Sequence, residues 1–208
     1  MDKQTINFYN TNAKKLYHRY TSVKSMEGIC IYFPIAFPNK RSKILDIGSG
    51  SGRDVLDLLK HGYDAYGVDA SEQLICVSQI NNPTLKERLF HSSLPKLEKI
   101  TEKYDGILCS AVLMHIPKEH LFDSVYKIRE LLNAGGRLLL SIPLNRSVDR
   151  ETFRDEEGRL FYPYSGEYLQ LLLERVGFQI IGKWINKDSL HRDLEWITML
   201  FHYGGTDN

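Results

Sequence analysis

The stretch KILDIGSGSGRDVLDLLKHGYDAYGVD, residues 43–69, decides how this chain folds. Ile44, Leu45 and Ile47 make a short apolar run that leads into Gly48-Ser49-Gly50-Ser51-Gly52. Val55, Leu56, Leu58 and Leu59 then recur at helical spacing, and Gly62 marks the stop. A second apolar strand, residues 65–68, closes on Asp69. The order is strand, glycine turn, helix, strand.

Three glycines at alternate positions let the backbone turn sharply and let a ligand approach without meeting a Cβ. The helix N-terminus beyond them presents unpaired N–H groups to a polar or negative group such as a carboxylate. Asp69, at the tip of the second strand, is placed to accept hydrogen bonds from a ribose diol. The unit is therefore predicted to hold a nucleoside. A dinucleotide fingerprint needs G-x-G-x-x-G, and its third glycine would fall on Arg53. The pattern is instead D-x-G-x-G-x-G, opened by Asp46, which would repel a pyrophosphate but can bind an ammonium group. A ligand with an amino-acid end and an adenosine end fits better than NAD. The acid, the glycine triplet and the closing acid together resemble the first motif of the class I S-adenosylmethionine-dependent methyltransferases.

Bulk properties agree with an ordinary enzyme domain. The 208 residues are long enough for one substantial core and are expected to form one domain. Lys plus Arg number 27 against 26 Asp plus Glu, and a net charge of +1 gives no strong nucleic-acid signal. The three cysteines are odd in number and lack metal spacing, which suits a reducing interior. No run approaches the roughly 20 apolar residues of a membrane span, and the first residues lack a signal-peptide layout. These features predict a cytoplasmic protein with no membrane or obligate protein partner and no metal.

The resemblance implies an α/β fold: a Rossmann-like, doubly wound, seven-stranded and mostly parallel sheet, with helices on both faces. One strand would run antiparallel, supplied by a C-terminal hairpin. It divides the chain into a helical lid (1–40), a cofactor-binding core (41–143) and a substrate-side loop, helix and closing hairpin (144–208). In the lid, Phe8, Leu16 and Tyr20 share a helical face. Tyr9 and Tyr17 are its candidates for covering the cofactor, or else for packing the helix on the core. Ser71 is a helix N-cap for residues 72–81, while Ala70 and Leu74 match the positions that enclose the adenine. A third strand is expected at 87–91. Related enzymes often place an Asp after it for the adenine amine; this chain offers Ser92, Ser93 and Leu94 instead.

Residues 104–110 read as a central strand buried on both sides. It continues into Ser110-Ala111-Val112-Leu113-Met114-His115, which in the resembled family borders the reactive methyl. His115 is the candidate general base, or else a wall of the cofactor pocket. Residues 118–133 form an amphipathic helix stopped by Gly135-Gly136, and 137–142 a fifth buried strand. The segment 143–164 mixes Arg146, Arg150, Arg154 and Arg159 with aromatics and with Asp155, Glu156 and Glu157. Its arginines grip an anionic substrate group or else pair with those acids. A helix at 166–176 and strands at 178–185 and 194–202 complete the chain.

The resemblance thus assigns S-adenosyl-L-methionine as cofactor, with S-adenosyl-L-homocysteine as product. Asp46, Gly48, Gly50 and Arg53 are expected at the methionine end, Arg53 because a guanidinium one residue past the glycines can pair with its carboxylate. Ser49 and Gly52 are also expected to be cofactor-binding, with Asp69 on the ribose. Arg159, Tyr164, Arg192 and Trp196 are the candidate substrate residues, Trp196 being otherwise a core residue. The expected reaction is in-line methyl transfer to a small-molecule acceptor. A cofactor-binding regulatory module of the same fold, an RNA or protein methyltransferase and an NAD-linked oxidoreductase are the alternatives.

Overall fold

The computed structural model describes residues 1–23, 28–98 and 100–205. Seven strands form one sheet: β1 (Lys43–Ile47), β2 (Asp64–Asp69), β3 (Leu89–His91), β4 (Tyr104–Ser110), β5 (Leu132–Pro143), β6 (Phe178–Lys187) and β7 (Glu195–Tyr203). Their order is β3-β2-β1-β4-β5-β7-β6. The first five pair in parallel, and β7 runs antiparallel between β5 and β6. The chain winds outward from β1 to β3, then returns to place β4 on the other side of β1. That reversal opens a crevice at the C-terminal ends of β1 and β4.

Seven α-helices accompany the sheet: α1 (Lys3–Thr11), α2 (Ala13–Thr21), α3 (Phe33–Ala36), α4 (Arg53–Lys60), α5 (Glu72–Asn81), α6 (Leu121–Glu130) and α7 (Gly166–Arg175). None among the described residues is long and apolar enough to cross a membrane. Successive residues of a strand point to opposite faces, and β5 shows the consequence. Leu138, Leu140 and Ile142 join one core with Val125 and Ile128 of α6 and Leu169 and Leu173 of α7. Leu139 joins the other with Phe33 of α3 and Val55 and Leu58 of α4. A strand buried on both faces must be apolar at every position, which is why residues 104–110 and 137–142 were readable as central strands.

Several boundaries differ from the sequence reading, β5 beginning at Leu132 rather than 137 and β6 running to Lys187 rather than 185. The amphipathic helix spans Leu121–Glu130, not 118–133: Leu131 caps its end and Leu132 opens β5, both in the core. Gly135-Gly136 therefore lies inside β5. There the pairing with β4 jumps from Leu132 opposite Tyr104 to Arg137 opposite Gly106, and residues 133–136 bulge out. The third strand is shorter than expected, covering only Leu89–His91. The N-terminal region is two helices rather than one. The break is at Asn12, with φ −101° and ψ 13°, whose side chain donates to the Phe8 carbonyl.

Helices α1 and α2 sit on α5 through Ala13, Leu16, Tyr17 and Leu74, a small apolar cluster separate from both sheet cores. Two further ties hold α1 to the 144–165 segment. Asp2 pairs with Arg154 through two bonds of 2.9 Å, and the Thr5 hydroxyl accepts the Leu160 N–H at 2.9 Å. A satellite cluster of this kind can open without the sheet. Leu16→Ala is accordingly expected to speed amide exchange across residues 3–21 while the amides of β1, β4 and β5 keep their protection. Equal loss of protection in the sheet would show that the helical pair is not a separate unit.

Candidate functional site

The crevice at β1 and β4 opens into a cavity of about 220 Å³ that extends beneath α1 and α2 toward β5, β7 and the 186–194 turn. Its first part is built by the glycine loop. Gly48 and Gly50 have φ of +78° and +52°, a conformation that favours glycine. Their reasons differ, however. A Cβ on Gly48 would lie 2.2 Å from Val112 Cγ2, so this glycine lets the end of β4 pack on the loop. A Cβ on Gly50 would meet nothing nearer than 3.8 Å. Only Gly50 serves ligand approach as the sequence reading had it. Gly52 packs against Leu85, 2.6 Å from its added Cβ, and does not line the cavity.

Asp69 ends β2 and is already bonded: Oδ2 accepts the Gly50 N–H at 2.8 Å and Oδ1 the Ser71 N–H at 2.7 Å. Burial pushes its pKa up, against the two amides that favour the charged form. The Gly50 N–H is thus spent within the protein and does not await a ligand. Ser71 caps α5 as expected, accepting the Leu74 N–H at 3.2 Å, and its hydroxyl also donates to Asn10 of the lid. Asp46 is buried under the loop and does not reach the cavity wall. Burial first, then the neighbouring Asp54 and Asp69, push its carboxyl well up, with Arg53 opposing. Arg53 lines the cavity, but its Nε and Nη2 hold Asp54 at 2.9 and 3.0 Å. Three carboxylates therefore surround the loop against one guanidinium.

The second part of the cavity begins where β4 ends. Ala111, a residue with a side chain, has φ +59°, in the left-handed region that stores backbone strain. On the sheet face covered by α3 and α4, Leu108, Leu139 and Leu200 are paired neighbours on β4, β5 and β7. Two residues on, the same face carries Ser110, Ser141 and Thr198 in register, and all three line the cavity. The Ser110 and Ser141 hydroxyls are 3.0 Å apart. The apolar floor changes to a row of hydroxyls at the point where the helices stop covering it.

His115 is 2% exposed. Its Nδ1 bonds the Leu160 carbonyl, which can only accept, so Nδ1 carries the proton and Nε2 the lone pair. The Tyr9 hydroxyl, 3.2 Å from Nε2, is then its donor. Burial lowers the His115 pKa to about 4, despite the bond to Leu160, and burial pushes the Tyr9 phenol up. The pair is neutral at physiological pH. A base with its lone pair already engaged and so low a pKa is poorly matched to general-base work.

Beyond His115 the wall carries Arg146, Arg159, Lys187, Arg192 and Trp196. Arg159 donates to Asp155 at 2.6 and 3.0 Å and pairs with Glu157 at 2.7 Å, and Arg146 donates to the same Asp155 at 2.7 Å. Arg192 and Trp196 both donate to Asp188. Burial would raise the Asp188 carboxyl, but those bonds and the Arg192 charge hold it down at about 2. Of the arginines in the 143–164 segment, Arg146 and Arg159 line the cavity and pair with its acids, whereas Arg154 pairs with Asp2 away from it.

Of the sequence-predicted residues, the cavity brings together Tyr9, Gly48, Ser49, Gly50, Arg53, Asp69, Ala70, Ser71, Leu74, Ser110, Ala111, Val112, His115, Arg159, Arg192 and Trp196. It leaves out seven. Asp46 and Gly52 lie behind the loop. Tyr17 packs on α5 and accepts from Asn82 Nδ2 at 2.9 Å. Ser92 is held at the sheet edge, its N–H on the Asp69 carbonyl at 3.1 Å, and Ser93 and Leu94 follow it away, Leu94 into the core. Tyr164 is in the core, its hydroxyl on the Ile116 carbonyl at 3.0 Å. The sequence reading missed Tyr20, Asp54, Ser141, Thr198 and the 186–190 turn, all on the cavity wall. A polar residue interrupting LLLSIP and WITMLF was the available signal for Ser141 and Thr198.

The chain belongs to the methyltransferase domain family, whose pattern matches residues 19–183, and within it to the class I S-adenosylmethionine-dependent methyltransferases. Among curated relatives it is similar to the probable S-adenosyl-L-methionine-dependent methyltransferase TehB of Haemophilus influenzae. The identity is 33% over 101 residues, 47% of this chain and 35% of that protein, so the match spans about a third of the relative's length. Among solved structures it is similar to the 1,6-didemethyltoxoflavin-N1-methyltransferase of Burkholderia thailandensis. The TM-score is 0.75 at 18% identity, covering 97% of this chain and 88% of that one. It is also similar to the [4+2]-cyclase SpnF, with a TM-score of 0.71 at 13% identity, covering 95% and 94%. At those identities the likeness speaks to the fold.

Two outcomes test this geometry. Gly48→Ala should lower unfolding stability by roughly 2–4 kcal/mol through clash and strain, Gly50→Ala by less, and Val112→Ala should recover part of the first loss in a double-mutant cycle. Independent, additive losses would mean that Val112 is not the obstacle. For His115, a pKa of about 4 against the ordinary 6.5 means that unfolding takes up a proton between those values. Stability should fall as pH drops from 6.5 to 4, by roughly 3 kcal/mol from this group. His115→Asn, which keeps a donor for Leu160, should flatten that part of the denaturation profile, and identical slopes would exclude His115 as the source.

Proposed function

We propose that this protein transfers a methyl group from S-adenosylmethionine to a small molecule held over the ends of β4, β5 and β7. The observation that carries the reading is the charge around the glycine loop. Asp54 and Asp69 line the cavity beside Arg53, with Asp46 buried behind them, an environment that favours a sulfonium and an ammonium group over the pyrophosphate of NAD. When bound, the cofactor supplies an electrophilic methyl that passes in one displacement to an acceptor lone pair.

The residues have separate tasks in this reading. Asp69 keeps lone pairs for the ribose hydroxyls beside the two amides it already accepts. Ala70 and Leu74 wall the adenine, Leu74 pressed from above by the lid. Arg53 has donors beyond those given to Asp54 for the methionine carboxylate. Ser110, Ala111 and Val112 shape the reactive end, and Tyr9 with neutral His115 closes it from the solvent side. Holding nucleophile and methyl in line can be worth roughly 7–11 kcal/mol, so no base is required of an acceptor that arrives with a lone pair. Residues 1–40 act as the lid, 41–143 as the cofactor core and 144–208 as the acceptor side. That enclosure favours a small molecule over RNA or protein. The same reading places the protein in the cytoplasm.

A second reading, cofactor binding without turnover, is favoured by Ser92 and Ser93 standing where an adenine-binding Asp is common. The cyclase among the fold neighbours fits it too, since a fold does not dictate a reaction. Calorimetry with S-adenosylmethionine, S-adenosylhomocysteine and NAD should show binding of the first two only. Asp69→Asn should weaken that binding about 10- to 100-fold, and Asp69→Ala should also lower the melting temperature by stranding the Gly50 and Ser71 amides. NAD binding with no binding of the methionine cofactor would end the proposal. Binding with no S-adenosylhomocysteine formed across an acceptor panel would favour the second reading.

A further inference from the structure

We propose that the acceptor carries a carboxylate, which Arg146 grips at the far end of the cavity; this rests on the methyl-transfer reading and names its substrate class. Four cations line that end, Arg146, Arg159, Lys187 and Arg192, against one lining acid, Asp188. Even with Asp155 and Glu157 behind them, the cations outnumber the carboxylates they face.

The hydrogen-bond inventory singles out Arg146. Arg159 spends Nε and Nη2 on Asp155 and Glu157, and Arg192 spends Nε and Nη2 on Asp188. Arg146 gives one bond, from Nη2, to an Asp155 already held by Arg159. Its Nε is buried with no partner among the described residues, and a buried unpaired donor is costly unless something satisfies it. The guanidinium carbon lies 4.8 Å from the Phe161 ring centroid, a cation–π contact that leaves its N–H edge for a carboxylate. Lys187 makes no ion pair among the described residues and adds an exposed charge to the wall. Toward β4, the row Ser110, Ser141 and Thr198 offers hydroxyls to the rest of the molecule, and Phe161, Trp196 and Leu194 offer an apolar wall for its body.

The test uses the full chain saturated with S-adenosylhomocysteine and matched pairs of probes, indole-3-acetate against indole-3-acetamide and 4-hydroxybenzoate against 4-hydroxybenzamide. At least one acid is expected to bind at least tenfold more tightly than its amide by calorimetry. Arg146→Gln should abolish that preference, and Lys187→Gln should reduce it and flatten its salt dependence. Arg146→Lys, which keeps charge without the fork, should fall between wild type and Arg146→Gln. Equal affinity for acid and amide would overturn the assignment, as would no binding by any probe to a protein that binds S-adenosylhomocysteine. Failure to bind S-adenosylhomocysteine at all would instead sink the methyl-transfer reading and this inference with it.

Discussion

The half-buried carboxylate of Asp69 is the constraint on which the cavity depends. One group at the tip of β2 accepts an amide from the glycine loop after β1 and another from the first turn before α5. A carboxylate buried with fewer partners would be costly, and two amides left without an acceptor would be costly as well. The loop, the strand end and the helix start therefore hold one another in place. Through Leu74 the same clamp positions the surface on which α1 and α2 rest, so the lid is seated by a bond formed beneath it.

The rest of the cavity follows from the pleat of the sheet. Residues two apart share a face, and the face covered by α3 and α4 is apolar as far as those helices extend. One step further, leucines give way to Ser110, Ser141 and Thr198, since an uncovered apolar row would be left facing water or a polar ligand. The outer wall obeys a different rule. Arginines brought so close together repel unless acids stand between them, and Asp155 and Asp188 do so. Pairing neutralises most of the charge while leaving the buried Arg146 Nε unsatisfied among the described residues. A wall of this kind can prefer an anion without being destabilised by its own charge.

The chemistry proposed here asks little of any proton carrier. His115 is held neutral by burial and is oriented at both ring nitrogens, Nδ1 by Leu160 and Nε2 by Tyr9. These bonds make it a fixed strut between the lid and the 144–165 segment. Catalysis by alignment depends on such struts, because the gain comes from restricting the reactants and not from activating them.

The seven-stranded sheet was implied by the family resemblance, while local pattern alone determined the approximate positions of the strands and the glycine loop with Asp69. Those features rest on hydrophobic period and on turn geometry, which are written into neighbouring residues. Tertiary structure decided which side chains meet. Tyr9 and Tyr17 lie on adjoining helices of the same region, yet only Tyr9 faces the cavity, because the break at Asn12 turns α2 onto α5. Asp46 and Gly52 belong to the loop motif but point into packing, and Ser92 is held back at the sheet edge by the Asp69 carbonyl. Arg154 finds Asp2 across 152 residues, and His115 finds Leu160 across 45. Sequence spacing carries the direction of a side chain within its own element, whereas its partner is fixed only when distant elements pack.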